Sequence, residues 1–158
     1  MGQDLEIRRI APELEEALDV FFAVLASAGE DDFFFPHPFT REQASRIAHY
    51  AGKDFYAAGL HRGEILAYGF LRGWDEGYET PSLGISIHPD YRGCGLGLAV
   101  MHYLQSVAVL RGCQTVRLRV NRDNVRAKRM YEKLGYVFGP DDEEYLVGFL
   151  ELKARRAC

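Results

Sequence analysis

Residues 83–98 confine this part of the chain to a strand, a tight glycine turn and a helix. The apolar run from Leu83 to Ile87 reads as a strand, and Pro89 ends it. Glycines stand at 93, 95 and 97, and Leu96 opens a long apolar run. Glycine lets a backbone take positive φ and come close to a ligand. Such a turn at the start of a helix aims free N–H groups and the positive end of the helix dipole at an anion. The segment is therefore a candidate phosphate cradle.

Two familiar phosphate motifs do not fit. A P-loop closes with Gly-Lys-Ser/Thr, whereas Gly97 is followed by Leu98 and Ala99. A dinucleotide fingerprint needs G-x-G-x-x-G and an acidic residue about 20 residues later. Here the spacing is G-x-G-x-G, and the strand near residue 117 offers Arg117 and Arg119. On these residues alone, a tight turn without a ligand stays open.

A second segment narrows the reading. Residues 120–136 run Val-Asn-Arg-Asp-Asn-Val-Arg-Ala-Lys-Arg-Met-Tyr-Glu-Lys-Leu-Gly-Tyr. Asn124, Ala127, Tyr131, Gly135 and Tyr136 fit the pattern N-x-x-A-x-x-x-Y-x-x-x-G-Y/F, and Arg92, Gly95 and Gly97 fit Q/R-x-x-G-x-G/A. In these two motifs and their order the chain resembles the GNAT N-acetyltransferase superfamily, over roughly residues 82–138.

The resemblance implies acetyl-CoA as cosubstrate. Backbone N–H groups of Gly93, Cys94, Gly95, Leu96 and Gly97 would hold its diphosphate, with Arg92 adding charge. Cys94 stands where many relatives carry a basic side chain and removes that contact. The strand at 83–88 is expected to splay from its neighbour, leaving backbone groups near Ile85 and Ile87 to pair with the pantetheine arm. One N–H there would polarise the thioester carbonyl, where negative charge grows during transfer. Gly84 suits either a bulge or close packing.

Asn124 and Tyr131 are seven residues apart, so they share a helix face about 10 Å apart along the axis. That span matches an extended arm, with Asn124 bonding its amides and Tyr131 at the sulfur. A thiol ionises near 8.5 and a tyrosine near 10, so proton donation by Tyr131 is useful without being indispensable. Core packing is the other reading of Tyr131. Helix capping is the other reading of Asn124, in competition with Asp123.

The acceptor ammonium must lose a proton before it attacks. Many relatives place a glutamate on or near the strand equivalent to 82–88, and this strand has none. Glu79 precedes it and ranks first as general base, with Asp75, Glu76 and Tyr78 in the same loop. His37 follows, on the strength of its ordinary titration range; His88, before Pro89, reads as structural. Acceptor choice is assigned to residues 29–39, where Phe33, Phe34, Phe35 and Phe39 form a core plug or, alternatively, Phe35, His37 and Phe39 form an apolar wall opposite Trp74 and Tyr78. Arg122, Arg126, Lys128, Arg129 and Lys133 crowd one helix, mostly as a solvated face, with one or two available to the cosubstrate's 3′-phosphate.

With 158 residues, the chain reads as a single domain, 1–158, able to bury an ordinary core. No signal peptide or membrane span is expected. Cys94, Cys113 and Cys158 lack metal-ligand spacing, which suits a reducing cytoplasm and argues against a zinc site. A net charge of −4 offers nucleic acid no overall basic surface and suits an amine.

The element pattern predicts a mixed α/β fold of the α+β type, with a central, mostly antiparallel sheet flanked by helices. Expected elements are a strand at 4–10, helices at 12–27 and 40–50, strands at 54–60, 64–72 and 82–88, a helix at 96–110 that is apolar on most sides and hence buried, a strand at 115–120, a helix at 123–134, and strands at 136–138 and 144–152. The last strand is expected to leave an edge at which a homodimer could form. The resemblance implies an acetyl-CoA-dependent N-acetyltransferase working by direct transfer, and the aromatic loop and acidic charge suggest a small amine or amino sugar as acceptor. A protein amino terminus or lysine is the alternative acceptor, and a non-catalytic acyl-CoA-binding protein the alternative class.

Overall fold

The computed structural model describes residues 4–29 and 37–153. In chain order the elements are β1 (Glu6–Arg9), α1 (Glu15–Ser27), α2 (Arg41–Ala48), β2 (Phe55–His61), β3 (Glu64–Arg72), β4 (Ser82–Ile87), α3 (Leu96–Leu110), β5 (Thr115–Asn121), α4 (Val125–Lys133), β6 (Val137–Pro140) and β7 (Tyr145–Glu151). Local chemistry sets most of the boundaries. Pro12 opens a 3₁₀ turn leading into α1. The Thr40 hydroxyl caps α2 by accepting the Gln43 N–H at 3.2 Å. Arg62 and Gly63 both take positive φ, the conformation of a type I′ turn, and join β2 to β3.

Among the described residues the strands form one sheet in the order β1-β2-β3-β4-β5-β7-β6. All neighbours are antiparallel except β4 and β5. One face carries α1 and α2, burying Leu18, Phe21, Phe22 and Leu25 against Tyr56, Tyr68 and Phe70. The other carries α3 and α4, burying Val100, Met101, Leu104 and Tyr131 against Leu83, Val116, Leu118 and Val120. Each such aliphatic or aromatic side chain contributes about 2 kcal/mol on burial, so the sheet is held rigidly from both sides.

Two expectations are corrected and one open reading is decided. β7 pairs on both flanks, and the sheet edge is β6, where Val137 is 73% exposed. The pattern missed this because β7 has the length and apolarity of a terminal strand, while the short β6 folds outside it. Helix α3 is apolar on most sides, yet Leu98 and Leu110 reach solvent and only its sheet-facing side is buried. Strand β4 has no bulge: its register with β3 is unbroken, and a side chain at Gly84 would strike the Phe70 ring at 2.3 Å. Close packing is the reason for that glycine. Among the described residues, no helix is long and apolar enough to cross a membrane.

Candidate active site

The site begins where two strands part. β4 and β5 pair only at Ser82 and Arg117, with the Arg117 N–H donating to the Pro81 carbonyl at 3.0 Å. Beyond that point they diverge. Successive residues of a strand turn their backbone groups to opposite sides. Pro81 C=O faces β5, whereas the His88 N–H faces β3 and donates to Leu66 at 2.8 Å. Ile85 and Ile87 therefore turn their N–H and C=O groups into the gap, as the sequence predicts.

The gap belongs to a cavity of about 770 Å³. Gly84 and Ile85 line it from β4, Arg117, Arg119 and Asn121 from β5, and Asn124 and Tyr131 from the α4 side. Glu76, Tyr78 and Glu79 close its mouth from the loop between β3 and β4. The structure thus brings together Tyr131, Asn124, Glu79 and Ile85, residues separated by up to 52 positions.

Above the wide end of the gap lies the glycine turn. Gly93 and Gly95 have φ of 76° and 89°, and Gly95 is the residue before the first turn of α3. The first intrahelical bond runs from the Ala99 N–H to the Gly95 carbonyl at 3.1 Å. The amides of Gly95, Leu96, Gly97 and Leu98 have no helical acceptor and are available to an anion. Arg92 reaches back to the Ile87 carbonyl at 3.2 Å. Cys94 is exposed and its thiol donates to the Tyr91 carbonyl at 2.8 Å. A Cβ at Gly93 would fall 2.6 Å from the Arg126 guanidinium, so α4 delivers one cation of its basic face to this turn. Of that face, Arg122 instead ties to the Asp142 carbonyl and Lys128 pairs with Glu132.

Helix α4 is fixed at both ends. Asn124, not Asp123, is its cap: the side-chain oxygen accepts the Ala127 N–H at 3.3 Å. The carboxamide NH₂ group is left for the cavity. At the other end Gly135 takes a φ of 103°, and the Gly135 and Tyr136 amides donate to the Glu132 and Tyr131 carbonyls. These are the two bonds of a Schellman motif. Tyr131 is buried against Tyr136 and Phe138, and loss of solvation pushes its phenol up to about 12.

Several expected residues stand elsewhere. His37 is buried between Phe22, Phe39 and Tyr68, with Nε2 2.9 Å from the Tyr68 hydroxyl, and burial lowers its titration to about 4. It does not reach the cavity. Trp74 packs under the Arg111 guanidinium, and Asp75 is bonded to the Tyr50 hydroxyl and the Lys53 N–H. His88 is structural, its Nδ1 accepting the Asp90 N–H. Phe39 is core, while Phe33, Phe34 and Phe35 lie outside the described residues. Sequence reasoning passed over Phe70, Arg72, Ser82, Arg117, Arg119, Tyr145 and Phe149, all of which line the cavity. The alternation of Arg117 and Arg119 with buried Val116, Leu118 and Val120 was the available signal.

The family model described as acetyltransferase (GNAT) family matches residues 22–136, well over half of the chain. The chain belongs to the GNAT family. An acetyltransferase of Sodalis glossinidius is 34% identical over 83 residues, which cover 52% of this chain and 57% of that one. An acetyltransferase of Pectobacterium atrosepticum matches to the same extent. The match thus spans little more than half the length of these curated relatives. The GNAT domain of S. lividans PAT superposes with a TM-score of 0.81 at 16% identity, covering 94% of this chain and 90% of that chain. The PaiA N-acetyltransferase of Thermoplasma acidophilum, solved in complex with coenzyme A, gives 0.76 at 13% identity and covers 94% and 99%. The mixed seven-stranded sheet of the described residues is thus a GNAT fold.

Proposed function

We propose that this GNAT protein is an acetyl-CoA-dependent N-acetyltransferase, working by direct transfer to a primary amine within a ternary complex. The observation that carries the reading is the gap between β4 and β5, which the Ile85 and Ile87 backbones face without a β5 partner, with free helix N–H groups at its upper end. An extended, amide-bearing thioester ending in a diphosphate suits both features. The fit is supported by Gly93, Gly95 and Gly97, whose lack of side chains leaves the turn open, and by Arg126 beside it. The presence of coenzyme A in the T. acidophilum protein supports the same ligand.

In this reading Arg92, Arg126 and the amides of residues 93–97 hold the diphosphate, and the Asn124 NH₂ group holds the arm. An N–H of the β4 gap, from Ile85 or Ile87, steadies the negative charge growing on the thioester oxygen. Glu79, at the cavity mouth, takes the ammonium proton directly or through water. The amine nitrogen bonds to the carbonyl carbon as the carbon–sulfur bond breaks, the sulfur leaves with its electron pair, and the nitrogen releases its second proton to water to give the neutral amide. Tyr131 stays protonated and donates a hydrogen bond to that sulfur. Burial holds the Tyr131 phenol up at about 12, so it keeps its proton and solvent supplies the one that completes the thiol.

The acceptor is a small amine or amino sugar, entering past Glu76, Tyr78 and Glu79. The chain acts as a single domain in the cytoplasm. The test is release of free CoA thiol from acetyl-CoA against amino sugars, polyamines, amino acids and peptides with free amino termini. Turnover with one class establishes the reaction and the acceptor. Stabilisation by acetyl-CoA without turnover across the panel would point to the non-catalytic alternative, and no stabilisation would overturn the cosubstrate.

A further inference from the structure

The narrow end of the cavity carries a cation that the reaction above does not use. Strand registers align Arg72 with Ser82, Ser82 with Arg117, and Arg117 with Phe149, one lateral row across β3, β4, β5 and β7. All four line the cavity. Directly paired residues present their side chains on the same face of a sheet, so two guanidiniums flank one hydroxyl on the cavity side.

The two arginines of β5 differ in their partners. Arg119 is held by Asp141 and by Asp142 at 2.9 Å, and lies over the Tyr145 ring. Arg117 makes no such pair among the described residues, and its Nε–H is buried without a hydrogen-bond partner. Leaving a charged donor buried and unmade is among the costlier defects in a folded chain. The same donor is stabilised if a ligand brings an acceptor oxygen. A guanidinium fork is shaped for the paired oxygens of carboxylate or phosphate.

We propose that Arg117, with Arg72 and Ser82 beside it, binds an anionic group of the acceptor, so that the natural acceptor is an amine carrying a carboxylate or phosphate. This rests on the acetyl-transfer reading and refines its substrate class. Ser82 stands three residues before Ile85, about 10 Å along β4. An acceptor that touches both ends therefore carries its anion several bonds from its amine. Glu76 and Glu79 line the same cavity and supply carboxylates for the ammonium. The net negative charge of the chain, which by itself favours a simple cation, is overridden by this local arrangement.

The test uses matched amines with acetyl-CoA: hexylamine against 6-aminohexanoate, and 3-amino-1-propanol against 3-aminopropyl phosphate. The wild-type protein is expected to favour one anionic member by about 10–100-fold in kcat/KM, the range of one charge-assisted hydrogen bond. The carboxylate and phosphate pairs tell the two anions apart. Arg117→Gln should collapse that ratio towards one, and Arg117→Lys should restore part of it. A wild type indifferent to the anion, or preferring the neutral amine, overturns the proposal without needing a folded variant. A preference that survives in a folded Arg117→Gln overturns the role of Arg117. Equilibrium dialysis of 6-aminohexanoate and 3-aminopropyl phosphate separates the two readings: anion binding lost on substitution, with no turnover of any amine, would spare Arg117 and sink the transferase.

Discussion

The Tyr136 N–H donates to the Tyr131 carbonyl at 3.1 Å, and the two rings lie 5.9 Å apart. One hydrogen bond and one ring contact thus hold the last turn of α4, and with it the phenol that faces the cavity. The contact between these two positions is the hydrophobic part of a Schellman ending, and Gly135 between them supplies the left-handed turn. The Tyr136 hydroxyl adds a bond to Gln105 at 3.1 Å and anchors the arrangement on α3.

Gly135→Ala tests that anchor. A Cβ at φ 103° is strained and would lie 3.2 Å from Leu150. The expected loss is about 1–2 kcal/mol, read as a lower urea midpoint with an unchanged slope. An unchanged midpoint would mean that the turn relaxes and does not position Tyr131.

Tyr131→Phe removes the phenolic donor and keeps the ring packing. On the proposed role of a hydrogen-bond donor to the leaving sulfur, turnover should fall by about 10²-fold, the lower end for a general acid. Affinity for CoA should barely change. Steady-state kinetics beside calorimetric CoA binding check both, and unaltered turnover would reduce Tyr131 to packing.

Gly95→Ala and Gly95→Glu separate strain from charge at the glycine turn. A Cβ at Gly95 meets open space, so alanine carries only the backbone cost of φ 89°. Glutamate adds an anion where the diphosphate is expected, and CoA affinity should drop more than about tenfold beyond the alanine variant. Equal affinities for the two variants would remove the diphosphate from this turn.

Glu79→Gln should flatten the acidic limb of the kcat/KM profile while leaving CoA binding intact. If the limb persists in the variant, Glu76 or water becomes the proton acceptor.

His37 makes a stability prediction, since it lies outside the cavity. Burial lowers its titration from 6.5 to about 4. In the unfolded chain the imidazole takes a proton as pH falls below 6.5, while in the folded chain it stays neutral until about 4. Its contribution is therefore complete above 6.5 and is lost as pH falls through that window, by up to about 3 kcal/mol. Denaturation midpoints between pH 7 and 4 should fall more steeply in the wild type than in His37→Gln. Parallel curves would contradict the burial.

The strand–turn–helix at 83–110 and the Tyr131–Gly135–Tyr136 ending were legible in the residues themselves. Their physical cause lies within a few positions of chain: proline stopping a strand, glycines at positive φ, side chains repeating at helical spacing. The Ile85 and Ile87 backbone faces were expected from the resemblance to GNAT proteins. Tertiary structure alone decided that β4 and β5 part after Ser82 and Arg117, that β6 and not β7 is the edge, and that His37 turns into the core while Glu79 reaches the cavity. It alone set Arg72, Ser82 and Arg117 in one row. These outcomes depend on register between strands up to 45 residues apart. A register is fixed by which apolar faces the helices cover, and no single segment contains that information.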